Sequence, residues 1–291
     1  MMRSAPKTSR RASLGLAFCL ALLAPALPAG AETLHEEFDE VFRLAPGGEV
    51  SVRNTNGSLE FTSWERAEVR VEATKVVKTM GRSRASEAME ALRIEVDHDG
   101  DSLHIRTVYP ESRSGWLFGR KVEAKVSYRV TVPREVSLHA HTINGNVSVE
   151  AVSGTIDART TNGQIRIAEA AGKANASTTN GNIRAELRKV DRASDCVFRT
   201  TNGGITLWVS EDVGAEVAAR TTHGSINSDF PTLVRGGSDS WRRNRLEGEI
   251  NGGGTNLTLE TVNGSIQLRR LAAAESPEAD DDRDDDSNGA D

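Results

Sequence analysis

RTTNGQIRI, residues 159–167, is the phrase on which the fold turns, because the chain writes it seven times. The other copies are RNTNGSLEF around Asn56, HTINGNVSV around Asn144, STTNGNIRA around Asn180, RTTNGGITL around Asn202, RTTHGSINS around His223 and ETVNGSIQL around Asn263. A unit this short cannot bury an apolar face by itself, so repeated copies are expected to stack.

Aligning the copies on the central residue places apolar side chains in fixed columns. Six residues before it stand Val50, Leu138, Ile156, Ala174, Cys196, Val217 and Leu257, and three after it stand Leu59, Val147, Ile165, Ile183, Ile205, Ile226 and Ile266. Polar residues alternate with them, which is the period of a strand with one buried face. Each copy therefore reads as strand, corner, strand. The corner is Asn-Gly, a pair suited to turns with positive φ, and His223 fits the same reading. Gly145, Gly154, Gly163, Gly172 and Gly181 fall nine apart, which adds a second corner per unit.

The pattern predicts an all-β, single-stranded β-solenoid (β-helix-like) of about 18–22-residue coils. Antiparallel hairpins in a sandwich satisfy the same alternation. The solenoid is preferred because like-on-like stacking explains why whole columns, Thr160 and Thr178 included, repeat.

Outward from the repeats, residues 32–135 carry one copy and several longer strand patterns, and are expected to form an N-terminal β-rich cap; the coils occupy 136–271. Within the cap, residues 83–94 have helical spacing, and a hairpin is expected to turn at Asp99-Gly100. At the start, Arg3, Lys7, Arg10 and Arg11 precede LGLAFCLALLAPAL, and Ala29-Gly30-Ala31 offers a cleavage site. Residues 1–31 thus read as a secretory signal peptide, and the mature chain as periplasmic, surface-bound or secreted. SRRASL at 9–14 partly matches a twin-arginine signal without its usual Phe and Lys, so the export route stays open. No later stretch is long and apolar enough to span a membrane. The acidic tail, residues 272–291, lacks the apolar side chains needed to offset the entropy of ordering.

The formal charge of −6 becomes −10 without the leader's four basic residues, and −2 without the nine acids and one arginine of 275–291. A net acidic, exported chain argues against a nucleic-acid partner. Cys196 is the only cysteine after the leader, and its place in a core column marks a buried thiol.

TTNGxI repeats, VTVP at 130–133 ahead of the first full coil, and GGGTNLTLETVNGSIQL at 252–268 together resemble the bacterial "putative-adhesin" domain of unknown function, over roughly residues 40 to 270. The resemblance implies an exported β-solenoid at the cell envelope, in some members linked to envelope stress, with no catalytic residues.

Chemistry-bearing constellations are sparse. His139 and His141 lie two apart on one strand without a third metal ligand, and Gly252 to Gly254 precede a strand, so neither metal nor cofactor is expected. The acids Asp157, Glu60 and Glu150 are scattered over different coils, so a carbohydrate lyase or hydrolase is the alternative reading and a non-enzymatic binding or scaffold protein the preferred one.

The column three before the corner contains Arg53, His141, Arg159, Ser177, Arg199, Arg220 and Glu260. Stacking aligns it at about 4.8 Å per coil, where like charges are either paired with nearby acids or held by an anionic ligand. Arg53, Arg159, Arg199 and Arg220, with Trp241, Arg242, Arg243 and Arg245 of SWRRNRL, are the candidate contacts for an anionic envelope polymer. Trp116, Leu117 and Phe118 of SGWLFGRK, apolar where a loop is normally polar, are the candidate contact for a partner or membrane surface. An envelope component or envelope protein is the expected partner; oligomeric state is open.

Overall fold

A computed structural model describes residues 31–109, 122–190, 194–231, 241, 242 and 244–271. Residues 1–30 of the expected leader (1–31), the Trp116, Leu117 and Phe118 loop, Arg243 and the acidic tail lie outside them.

In chain order the strands are β1 (Ala31–Arg43), β2 (Glu49–Arg53), β3 (Leu59–Trp64) and β4 (Glu68–Met80), then helix α1 (Arg82–Ala91) and the hairpin β5 (Arg93–Asp99) and β6 (Ser102–Val108). There follow β7 (Glu123–Pro133), β8 (Glu135–His141), β9 (Val147–Glu150), β10 (Ser153–Arg159), β11 (Ile165–Asn180), β12 (Ile183–Lys189), β13 (Asp195–Asn202) and β14 (Ile205–Val209). The last are β15 (Ala215–His223), β16 (Ile226–Ser228), β17 (Trp241–Arg242), β18 (Arg245–Ile250), β19 (Thr255–Asn263) and β20 (Ile266–Arg270).

These strands form two ladders. One runs β5, β6, β2, β8, β10, the second half of β11, β13, β19, β15, β18, β17. The other runs β1, β4, β7, β3, β9, the first half of β11, β12, β14, β20, β16. Every pairing between copies of the repeat is parallel, so the hairpin sandwich is not formed. The expected two-walled coil is modified, because β11 passes through the corner without interruption and joins the ladders into one 20-stranded sheet. Helix α1 packs on β4 and β1, and Gly100 turns the β5–β6 hairpin as the sequence predicts.

The apolar columns meet in register. Leu59, Val147, Ile165, Ile183, Ile205, Ile266 and Ile226 are all buried, as are Ala140, Ala158, Ala176, Phe198 and Leu259 of the neighbouring column. Thr142, Thr160, Thr178, Thr200, Thr261 and Thr221 are buried too, each with Oγ1 donating to the corner-glycine carbonyl of the adjoining coil at 2.8–3.2 Å. The threonine column thus satisfies carbonyls that the corners leave inside.

The corners require a correction. Neither His223 nor any of the six corner asparagines has positive φ, and of the glycines that follow only Gly57 and Gly203 do. Glycine is needed instead because neighbouring coils touch there: a Cβ on Gly163 would lie 2.0 Å from the Gly145 carbonyl oxygen, and one on Gly181 1.9 Å from that of Gly163. Asparagine is needed for a ladder of amides. Asn144, Asn162, Asn180, Asn202 and Asn263 each donate Nδ2–H to the previous Oδ1 at 2.8 Å. His223 lies beside Asn263 at the far end of this row. The second corner does use positive φ, at Gly154 and Gly172.

Spatial order departs from chain order at both ends. β2 and β3 lie inside β6 and β7, and the last copy, β19 and β20, is inserted between β13–β14 and β15–β16. The outer position at the first end is a degenerate eighth copy, HIRTVY (104–109), which places Tyr109 where the others have the corner Asn. Its hydroxyl lies 2.7 Å from Asn54 Oδ1 and 2.8 Å from the Asn56 carbonyl, and accepts the Asn56 N–H at 3.0 Å. Tyr109→Phe leaves buried Asn54 without that partner and should lower stability by about 1–3 kcal/mol in a denaturant titration; an unchanged midpoint would show that the hydroxyl does not hold the Asn54–Asn56 corner.

Candidate functional site

The outward residues of the first ladder carry the charge. On β6, β2, β8 and β10 the same triplet recurs: His104-Ile105-Arg106, Ser51-Val52-Arg53, His139-Ala140-His141 and Asp157-Ala158-Arg159. The middle residue of each points into the core, and Ile105, Val52, Ala140 and Ala158 are buried. The flanking residues form two rows across the strands. One reads Arg106, Arg53, His141, Arg159; the other reads His104, Ser51, His139, Asp157. Strand β5 adds Glu95 beside Arg106 and Asp97 beside His104. A groove of about 700 Å³ opens over these rows, with Glu49 also on its wall.

Some of these charges are committed to each other. Arg159 grips Asp157 through Nε and Nη2 at 3.0 and 2.9 Å, and Arg106 donates to Glu95 at 2.5 Å, a contact that holds the Glu95 carboxyl below the usual carboxylate range. His139 lies 3.9 Å from Glu49 and 3.8 Å from Asp157. Among the described residues, no carboxylate comes within ion-pair distance of exposed Arg53 or His141. The centre of the basic row therefore faces solvent with its hydrogen-bond donors available.

Farther along, the row continues through Ser177, Arg199, Glu260, Arg220 and Arg245. Glu260 arrives with the inserted last copy, stands between Arg199 and Arg220, and accepts from Arg199 Nε at 2.7 Å. Arg245 pairs with Glu247. Five of the expected basic residues, Arg53, Arg159, Arg199, Arg220 and Arg245, thus stand in one row, with Glu260 dividing it. Trp241 and Arg242 form β17, paired with β18 beyond Arg220. Cys196 is fully buried, and burial pushes its thiol pKa up. Among the described residues no group of His, Cys, Asp or Glu is arranged to hold a metal, and no helix is long and apolar enough to cross a membrane.

The sequence reading missed Arg106 and His104 because HIRTVY lacks the Asn-Gly that marks the other copies, and Glu95 and Asp97 because β5 reaches the row only by pairing with that copy. The signal was the polar–apolar–basic triplet.

A family model for the Toastrack DUF4097 domain matches residues 47–269. The chain belongs to this family. The Toastrack match covers the first ladder, the second ladder apart from β1 and the last residue of β20, and the whole groove. Solved structures with a similar outline include "a putative cell adhesion protein" of Clostridium sporogenes (11% identity, 81% of this chain and 100% of that one, TM-score 0.41). Others are "a putative adhesin" of Bacteroides fragilis (9%, 81% and 97%, 0.32) and a "putative lipid binding protein" of Parabacteroides distasonis (11%, 81% and 97%, 0.28). No curated protein matches the sequence.

Proposed function

We propose that this Toastrack protein is an exported, non-enzymatic binding protein of the cell envelope, adhesin-like in use, that holds an anionic envelope polymer along the outer face of its first ladder. The observation that carries the reading is the row Arg106, Arg53, His141, Arg159, whose centre has no carboxylate partner among the described residues. Guanidinium groups bind carboxylate or phosphate through paired N–H donors, and a row at strand spacing repeats that contact along a chain. Arg199, Arg220 and Arg245 continue the row on either side of Glu260; Trp241, Arg242 and Arg243 are proposed as further anionic-ligand contacts and Trp116, Leu117 and Phe118 as a separate apolar one. The fold in this reading is a β-solenoid with residues 32–135 as its β-rich cap and 136–271 as its coils, released after cleavage behind Ala31.

Co-sedimentation of the chain from Glu32 onward with purified cell envelopes tests this. Binding should weaken at high salt and fall several-fold in an Arg159/Arg199/Arg220→Ser variant, because exposed charge contacts are screened. Salt-insensitive binding unaffected by the variant would remove the arginines from the reading, and turnover of an envelope polysaccharide by the purified protein would replace binding with catalysis.

A further inference from the structure

Three of the chain's six histidines line the groove over Arg106, Arg53 and Arg159. We infer that His104, His139 and His141 make this groove a proton-tuned site for an acidic polysaccharide chain, weak near neutral pH and strengthened by mild acid. The inference rests on the anionic-polymer reading above and adds its ligand class and its control.

Charge and position carry it. With neutral imidazoles the groove's three arginines face four carboxylates, Glu49, Glu95, Asp97 and Asp157, and the wall is net −1; with all three imidazoles protonated it is net +2. Protonation of the imidazoles thus reverses the sign of the wall, and imidazole is the side chain whose charge responds to mild acid.

Each histidine has a distinct place in the change. His141 stands in the row between Arg53 on β2 and Arg159 on β10, so its protonation makes the row continuous in positive charge. His139 lies within 4 Å of both Glu49 on β2 and Asp157 on β10, so its protonated ring offsets one negative charge between two acids, of which Asp157 is already paired with Arg159. His104 stands opposite Asp97 on β5, next to Arg106 of its own strand and Ser51 of β2, and offsets the outer acid. The arginines face a concave wall over the strands rather than a flat surface. A linear chain of charged sugars can lie along such a groove and meet the basic row at successive strands.

The test is calorimetric titration of the protein with oligogalacturonate at pH 5.5 and 7.5, with neutral dextran and anionic phospholipid vesicles as parallel probes. Affinity for the uronate oligomer should rise at least about tenfold at pH 5.5, with dextran silent and vesicles weaker. A His104/His139/His141→Gln variant, checked for an unchanged melting temperature, should bind the oligomer with the same affinity at the two pH values. Arg53→Gln should weaken binding at both pH values. Binding that is lost in Arg53→Gln but equal at the two pH values would overturn the proton tuning and leave the polymer reading standing. No binding to any probe at either pH would overturn both. Tighter binding to vesicles than to the oligomer would overturn the polysaccharide in favour of a lipid surface.

Discussion

A chain ending at Gly254 should lose its C-terminal fold altogether. In a simple stack, deleting the last repeat removes one terminal interface and leaves its neighbour frayed. Here β19 lies between β13 and β15, and β20 between β14 and β16, so deletion opens the stack from within. It also removes Leu257, Leu259, Ile266 and Leu268, each at most 1% exposed. At about 1.5–3 kcal/mol per buried aliphatic, the loss rivals the 5–15 kcal/mol that holds a whole domain folded. Rapid proteolysis across residues 195–231 and a melting temperature lower by more than about 10 °C are expected. RTTHG resembles RTTNG closely enough for β15–β16 to fall back onto β13–β14, and a truncated chain that melts within a few degrees of the full one would mean that the coils had closed the gap. The milder variant Leu259→Ala keeps the topology and should cost about 2–5 kcal/mol.

Gly181→Ala should be nearly as damaging, for a reason that separates contact from conformation. Gly181 does not have positive φ, so alanine would normally stabilise by about 0.4–1 kcal/mol through the unfolded chain. The new Cβ, however, would sit 1.9 Å from the Gly163 carbonyl oxygen. The coils cannot part to admit it while Gly181 N–H donates to Asn202 O at 2.9 Å and Gly163 N–H to Asn180 O at 3.0 Å. Overpacking of this kind costs about 3 kcal/mol or more. The neighbouring Gly204, where a Cβ would meet its nearest atom at 3.1 Å, is the control and should change stability by no more than about 1 kcal/mol on the same substitution. Equal effects at the two positions, measured by denaturant midpoint, would show that the coils are not in close contact at the corners.

Much of this architecture is legible in the sequence because it is local. The alternation that puts Ile165 inside and Arg166 outside is a property of nine residues, and identical columns force identical partners. The corner was legible in identity but not in cause, since Asn-Gly is also a common turn dipeptide. Only the stacked coils reveal that the glycines touch and the amides form a ladder. The order of the copies was not legible at all. ETVNG fits beside RTTNG or RTTHG equally well, and nothing in the columns says that residue 263 should lie between 202 and 223. That insertion is what places Glu260 beside Arg199 and divides the basic row. The groove was half legible: Arg53, His139, His141 and Arg159 stand in marked copies, while His104 and Arg106 stand in an unmarked one that the chain returns to pair with β2.

The most direct measurement is NMR of the arginine Nε–H and imidazole resonances as ¹⁵N-labelled protein is titrated with oligogalacturonate at pH 5.5. If the groove holds an acidic chain, the largest shifts fall on Arg53, His139 and His141, and the same titration at pH 7.5 moves them little. Shifts confined to Arg199, Arg220 and Arg245, or none anywhere, would contradict the groove as the binding site.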